Sequence, residues 1–428
     1  MPTRRNFLQK ASSLALLPSL KPISDDYLSR IQSLSPTTLP ERVAQDEEYW
    51  ASVAEAYTVS PTIINLNNGG VSPSPKVVQD AMERYHRYAN EAPSYFMWRI
   101  MDQGREPLRE QLASLAGVEP NEIAIQRNAT EALDAVILGL SLQKGDEVVL
   151  TRYDYPNMLH AWRQREFREG IKLNYVELEL PIENEQAIVN KFVEQFTPRT
   201  RIVHITHMIN WTGQLLPVRK IADEAHKRGI EVVVDGAHTF AHLDFKIPDL
   251  GCDYFGTSLH KWLSAPIGTG LLYVKQDKIK DVFPLIPNGD PKSENIRKFE
   301  NLGTRPFFIE QAIGQAIRFQ LAIGTARKES RLRYLKNYWA EKVIKFPKVR
   351  LNTSLKPQFS CALAHVGIEG MKAGEIESQL FSKYKIHTSP IAWEQVDGVR
   401  ITPHVYTSLA DLDKLVEAIT WLATKTKT

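Results

Sequence analysis

The chain has 428 residues, 43% hydrophobic and 24% charged, and a formal net charge of +3. That length and apolar content suffice for a sizeable core and predict two linked domains, while so small a charge argues neither for nucleic acid nor for a strongly acidic partner. No run of about 18 or more apolar residues occurs, which argues against a permanent membrane span, and no internal repeat or low-complexity block is visible.

The first residues, MPTRRNFLQKASSLALLPSL, stand apart. Arg4 and Arg5 precede Phe7 and Leu8 and then a short, mildly apolar run from Ala11 to Leu20 that lacks an AxA-like cleavage site. The pattern is similar to a bacterial twin-arginine export signal, which implies passage of the folded protein through that machinery to the periplasm. A disordered basic N-terminus on a cytoplasmic protein is the alternative. Residues 1–35 are therefore expected to be signal and linker.

A helical stretch is predicted around Asp46 to Tyr57, after which TIINLNNGGVSPSP leads into a large domain. From there to about Val274 strands alternate with helical stretches, which predicts an α/β fold with a mainly parallel sheet and helices on both faces. The strand Glu122 to Gln126 precedes NAT at Asn128 to Thr130, which opens the apolar-periodic ATEALDAVILGLSL. This reads as a helix N-terminus whose amides suit a phosphate, although an ordinary cap has the same appearance. The strand Glu147 to Leu150 is followed by a loop holding Tyr155. The β-branched EVVV, Glu231 to Val234, reads as a buried strand with Asp235 at its C-terminal end, where open α/β sheets bind ligands. A further strand, Cys252 to Gly256, leads into TSLHKWLSAPIGTG, which carries Lys261 over the same crevice. A long helical region from Pro306 to about Ala340 then joins a C-terminal α+β part, with Arg400 on a short strand and a last helix from Leu409 to Thr426. Residues 61–305 are expected as the large domain, 36–60 with 306–428 as the small one, and the site between them. Cys252 and Cys361 lie in apolar contexts and read as core residues rather than a disulfide.

Asp235 and Lys261 together suit one pyridine cofactor. Pyridoxal phosphate acts as an electron sink while its ring nitrogen stays protonated, a form that a carboxylate stabilises. A lysine holds its aldehyde as a Schiff base until a substrate amine displaces it, and the freed amine then moves a proton at Cα.

The string DGAH at Asp235 to His238, with Ser258, His260, Lys261 and the loop Pro266 to Gly270, resembles the class V aminotransferase family of fold type I pyridoxal phosphate enzymes over about residues 60–425. LNNGG at Leu66 to Gly70 and PSYFMWR at Pro93 to Arg99 look most like its isopenicillin N epimerase-like branch. The resemblance implies a large domain with a seven-stranded type of sheet, a smaller α+β domain, and Lys261 as the catalytic lysine. It places Asp235 at the ring nitrogen and His238, where the family often has Gln, at the ring hydroxyl. Ala129 and Thr130 become phosphate contacts, with Ser258 and His260 completing the cup. Tyr155 would stack on the ring face, and Asn210 would lie near the ring hydroxyl and substrate carboxylate. Arg400 would clamp the substrate α-carboxylate, a task that suits a planar guanidinium. Asn68 and Gly69 would line the pocket, and Arg99 would meet a second acidic group. Thr304 in ENLGTRP matches the threonine that reaches the neighbouring subunit's phosphate, which implies a homodimer with shared sites.

The implied substrate is an amino acid or an amino-acid-derived molecule, with a siderophore peptide suggested by the leader alone. Epimerisation, transamination and β-elimination share these residues, and one sequence does not choose among them. Persulfide-type cysteine desulfuration is disfavoured, because KIHTSPIAWEQVDGVR before Arg400 has no cysteine. Two readings from other classes stay open: a pyridoxal-phosphate-fold binding protein without turnover, which the set Asp235, Lys261 and Arg400 argues against, and, as a poorer third, a hydrolase using His238, His242 and Asp244 around a metal, where only the pair His238 and His242 at i, i+4 has spacing suited to a ligand set. No metal is expected.

Overall fold

The computed structural model describes Ser29, residues 31–33 and residues 38–425; the twin-arginine pattern lies outside the described residues. Strands in chain order are β1 (Ile64–Asn65), β2 (Ile123–Gln126), β3 (Glu147–Thr151), β4 (Lys172–Val176), β5 (Thr200–Thr206), β6 (Glu231–Asp235), β7 (Tyr254–Ser258), β8 (Gly270–Val274), β9 (Val349–Leu351), β10 (Ala364–Ile368), β11 (Ile386–His387), β12 (Ser389–Trp393) and β13 (Val396–Ile401).

Seven of them form the central sheet in the order β2-β8-β7-β6-β5-β3-β4. The pairs β3–β4, β3–β5, β5–β6 and β6–β7 are parallel, while β8 is antiparallel to both its neighbours. The inner strands β3, β7 and β8 are buried along their whole length, as expected for strands covered by helices on both faces. The helices Ala129–Gly139, Pro156–Glu169 and Val218–His226 supply that cover. β7 starts at Tyr254 rather than Cys252; just before it Asp253 already bonds both neighbouring strands, donating its amide to the Val232 carbonyl and accepting the Lys275 amide at 3.0 Å each, and its carboxylate accepts the Val232 amide and faces the His226 ring.

A second sheet, β12-β13-β10-β9, is wholly antiparallel. The helices Ala373–Tyr384 and Leu409–Lys425 accompany it, and Leu335, Trp339, Val366, Ile376, Val399 and Ile419 share its core. The helical region expected from Pro306 to Ala340 is three helices, Phe307–Gln311, Ile313–Ile323 and Thr325–Val343, the last two separated by Gly324 at φ +85. That left-handed conformation cannot continue a helix and is open to glycine at little cost. The short helix Glu47–Ala54 packs back on this region: Arg331 donates to the Ala44 carbonyl and pairs with Glu47. Among the described residues no helix is long and apolar enough to cross a membrane.

Candidate active site

The C-terminal ends of β5, β6 and β7 and the end of β13 face a cavity of about 420 Å³. Asp235 ends β6 in register with Thr206 and Gly256. One of its oxygens, Oδ1, accepts the Ala237 amide at 2.9 Å. Burial pushes its pKa up, opposed by that amide and by His204 and Lys261. Behind it on β5, fully buried His204 receives the Trp162 indole N–H on Nδ1 at 3.3 Å, which assigns the proton to Nε2, an atom with no partner of its own.

Lys261 follows β7 in the tight turn Lys261 to Ser264. Its Nζ lies 3.4 Å from His238 Nε2. Burial lowers the amine to about 8, with Asp235 raising it and Arg400 lowering it further. His238 is held neutral by burial and by the nearby Lys261 and Arg400 charges. At the opposite end the helix Ala129–Gly139 starts at the cavity, with Asn128 Oδ1 accepting the Glu131 amide at 2.9 Å. Ser258 Oγ accepts the Ala129 amide at 2.9 Å, and His260 donates from Nδ1 to the Thr269 carbonyl at 3.0 Å. Helix amides, a serine hydroxyl, the Thr130 hydroxyl and the outer nitrogen of His260 therefore gather where an anion would be held.

Arg400, near the end of β13, donates to the Asn210 carbonyl at 3.1 Å and to Asn67 Oδ1 at 3.0 Å. Its Nε is buried without a partner, as are Asn210 Oδ1 and His238 Nδ1. Unpaired buried polar atoms cost about 1–3 kcal/mol each, and three on the wall of one cavity point to a ligand that pairs them. Tyr155, 40% exposed, stands at the rim. Beside it Trp211 stacks on Trp393 with ring centroids 5.3 Å apart, and Trp393 donates its indole N–H to the Arg152 carbonyl at 2.9 Å.

Eleven residues singled out from sequence thus line one cavity: Gly69, Ala129, Thr130, Tyr155, Asn210, Asp235, His238, Ser258, His260, Lys261 and Arg400. Three do not. Asn68 is fully buried, donating to the Asn65 and Thr402 carbonyls and accepting from the Tyr406 hydroxyl, so it pins the chain while its neighbours Gly69 and Gly70 line the wall. Arg99 is exposed on the helical turn Phe96–Met101, and Thr304 is exposed in the loop before Phe307–Gln311; neither reaches this chain's own cavity. The metal reading fails on His242, whose Nδ1 donates to the His238 carbonyl and whose Nε2 accepts the Ala362 amide. Among the described residues no group of three or more His, Cys, Asp or Glu is placed to hold a metal ion. Sequence reasoning missed Thr206, Trp211, Ser389 and Ile391 on the wall. Trp211 directly follows Asn210, and the i, i+2 spacing of Ser389 and Ile391 puts both on one strand face, so these two signals were present.

A donor set with an anion cup, a facing carboxylate and an amine between them, at the strand ends of a mainly parallel sheet, defines a fold type I pyridoxal-phosphate-dependent enzyme. The architecture matches the cystine C-S lyase C-DES in complex with cysteine persulfide (TM-score 0.77, 23% identity, 84% of this chain and 97% of that one). It also matches the apo cysteine desulfurase of Thermococcus onnurineus NA1 (TM-score 0.78, 20% identity, 91% and 100%).

The chain belongs to the class V aminotransferase family, whose profile, described as Aminotransferase class-V, matches residues 64–390. Its cofactor is pyridoxal phosphate. Among relatives, the isopenicillin N epimerase of Streptomyces clavuligerus is 28% identical over 388 residues, 86% of this chain and 97% of that protein. The hercynylcysteine sulfoxide lyase of Schizosaccharomyces pombe is 23% identical over 397 residues, 88% and 98% respectively.

Proposed function

We propose that this enzyme acts on the amine-bearing carbon of an amino acid or amino-acid-derived substrate in the manner of isopenicillin N epimerase, with Lys261 as the proton carrier. The observation that carries this reading is the meeting of Lys261, Asp235 and Arg400 on one cavity. The full-length likeness to two epimerases, each 28% identical, supports it.

When bound, the cofactor supplies an electron sink for the bond broken at that carbon. Asp235 would hold the ring-nitrogen end, His238 and Asn210 the hydroxyl edge, and Ala129, Thr130, Ser258 and His260 the phosphate. Arg400 presents a buried guanidinium to the substrate carboxylate, and its unpaired Nε is free to complete that contact. Lys261, lowered to about 8, exists partly as the neutral amine near pH 7–8 and can accept a proton from Cα and return it. Tyr155, at the rim of the cavity, would stack on the ring face, with Trp211 beside it on the same wall.

A β-lyase is the second reading, supported by the likeness to the sulfoxide lyase over nearly the whole of both chains. Persulfide transfer is disfavoured: Cys252 and Cys361 are both buried, burial pushes the Cys361 thiol up to about 12, and the segment leading to Arg400 forms β11, β12 and β13 with no cysteine. As further parts of the proposal, the enzyme works as a homodimer with Thr304 reaching the neighbouring copy's phosphate, and the twin arginines route it to the periplasm; a peptide or siderophore substrate would suit that location.

Incubation of amino acids and small peptides in deuterated water tests the reading. Deuterium at Cα of recovered substrate without added keto acid is the expected result. Amination of an added α-keto acid would make it a transaminase, and release of a β product a lyase. A yellow protein that does none of these with amine substrates removes the proposal.

A further inference from the structure

Behind Lys261 lies a column of three buried rings that the chemistry above does not use. Trp262, the next residue, is sandwiched between His242, at a centroid distance of 3.8 Å and 22° between planes, and His404, at 5.8 Å and 12°. All three are completely buried. The column joins distant parts of the chain. His242 belongs to the turn after Asp235 and is bonded through Nδ1 to the carbonyl of His238, whose ring in turn contacts Lys261 Nζ. His404 lies four residues beyond Arg400, and its Nε2 is 3.4 Å from Ser264 Oγ.

The Lys261 turn is strained, and the column packs directly against it. Ser264 donates its amide to the Lys261 carbonyl at 3.2 Å and sits at φ +57, a left-handed conformation that side-chain-bearing residues avoid. Ala241, next to His242, is at φ +58. Such strain persists only where the surroundings over-determine the backbone, and two such residues flank this one stack. The Trp262 carbonyl is also held, by buried Lys328, which donates in addition to Gln320 Oε1 at 2.8 Å. Packing alone does not account for the choice of rings. Trp262 Nε1 and His404 Nδ1 are buried without partners, so flat rings are kept here at a polar cost that an aliphatic side chain such as leucine would avoid. The groups facing the column are Lys328, Arg333, His207 and His238 on the His242 side, with Tyr57, Tyr406 and Lys328 on the His404 side. Burial keeps both histidines neutral, so flat uncharged rings meet the indole.

We propose that the His242–Trp262–His404 stack is a positioning device that fixes the reach of Lys261 and couples it to the segment carrying Arg400. A substrate carboxylate seated on Arg400 is thereby registered against the lysine through a rigid path of packed rings. This rests on Lys261 being the lysine that holds the cofactor.

The test uses the full-length holoenzyme with His404→Ala and His404→Phe, the second restoring a flat ring. His404→Ala should lower kcat about tenfold or more with KM changed by less than about threefold, as expected for a misplaced reacting group rather than lost binding. It should also move the midpoint of the pH titration of the bound cofactor's visible absorption by about half a pH unit, which corresponds to about 0.7 kcal/mol. His404→Phe should recover both. Wild-type kcat and midpoint in His404→Ala, or equal impairment in His404→Phe, overturns the proposal, whatever happens to melting temperature. If His404→Ala does not fold, Trp262→Phe, a smaller ring between the same histidines, is read by the same two outcomes. Borohydride fixing the cofactor to a lysine other than Lys261 would instead sink the site assignment on which the device rests.

Discussion

Asp235 is a carboxylate in a place where burial works against its charge, and the Ala237 amide, His204 and Lys261 work for it. On the proposed reading a pyridinium nitrogen opposite it would add the missing counter-charge, so its role would depend on the charge rather than on shape. Asp235→Asn keeps the shape and loses the charge, and should lower kcat on the order of 100-fold or more while the protein still takes up pyridoxal phosphate, measured by visible absorption and steady-state rates. Retention of wild-type kcat would remove Asp235 from the ring nitrogen. Arg400→Lys keeps a charge but loses the planar fork and should raise KM for the amino-acid substrate about tenfold or more, the size of one charge-assisted hydrogen bond. An unchanged KM would leave the substrate carboxylate somewhere else. At this scale the sequence was informative where a residue's place on the cavity follows from its own motif, as for Asp235, Lys261 and Ser258. It was uninformative for Asn68, whose partner Thr402 is 334 residues away and turns a pocket-like motif into a structural pin.

Among the elements, β8 and the start of the helix Ala129–Gly139 approach each other more closely than side chains permit. A Cβ on Gly270 would lie 2.6 Å from the Asn128 amide nitrogen and 2.7 Å from its Cα. Those atoms are backbone and cannot rotate away, so the helix start, with the Ala129 amide bonded to Ser258, would have to shift. Gly270→Ala should therefore weaken pyridoxal phosphate binding about tenfold or more, equivalent to about 1.4 kcal/mol, in a spectroscopic titration of the cofactor-depleted protein. Gly289→Ala, whose Cβ would meet nothing within 4 Å, is the control and should bind as wild type. Equal affinities would show that the helix start does not hold the phosphate. Glycine in a Gly-Pro-rich loop was legible as a turn residue, but its closeness to the helix start at Asn128, 142 positions earlier, was not, since no local pattern encodes a tertiary approach. The same holds for the break at Gly324: hydrophobic periodicity runs through it, and only the backbone angle ends the helix.

At the scale of the whole molecule, the alternation of strands and helices made the parallel sheet legible, and the site followed from where its strands end. What could not be read was how the antiparallel sheet folds back to bring Arg400 beside Asn67 and Asn210, because register between two sheets is set by packing rather than by local sequence. That packing also encloses many ionisable rings. His204, His207, His260 and His365 are lowered to about 4 and His242 to about 3, chiefly by burial, from an ordinary value of 6.5. Between about 4 and 6.5 the unfolded chain therefore binds protons that the folded chain does not, so this contribution to stability is complete above pH 6.5 and is lost as pH falls through that window. Asp134 and Asp154 act in the opposite sense: burial raises both to about 6 from 3.8, so the folded form gains protons first on acidification. His238 and His404 are lowered as well and buried Asp235 is raised, so seven depressed histidines against three raised carboxylates leave a net loss. The urea midpoint of the cofactor-loaded protein should accordingly fall as pH is lowered from 6.5 toward 5, and a midpoint that stays level or rises over that range would mean that the histidines take up protons without unfolding the core.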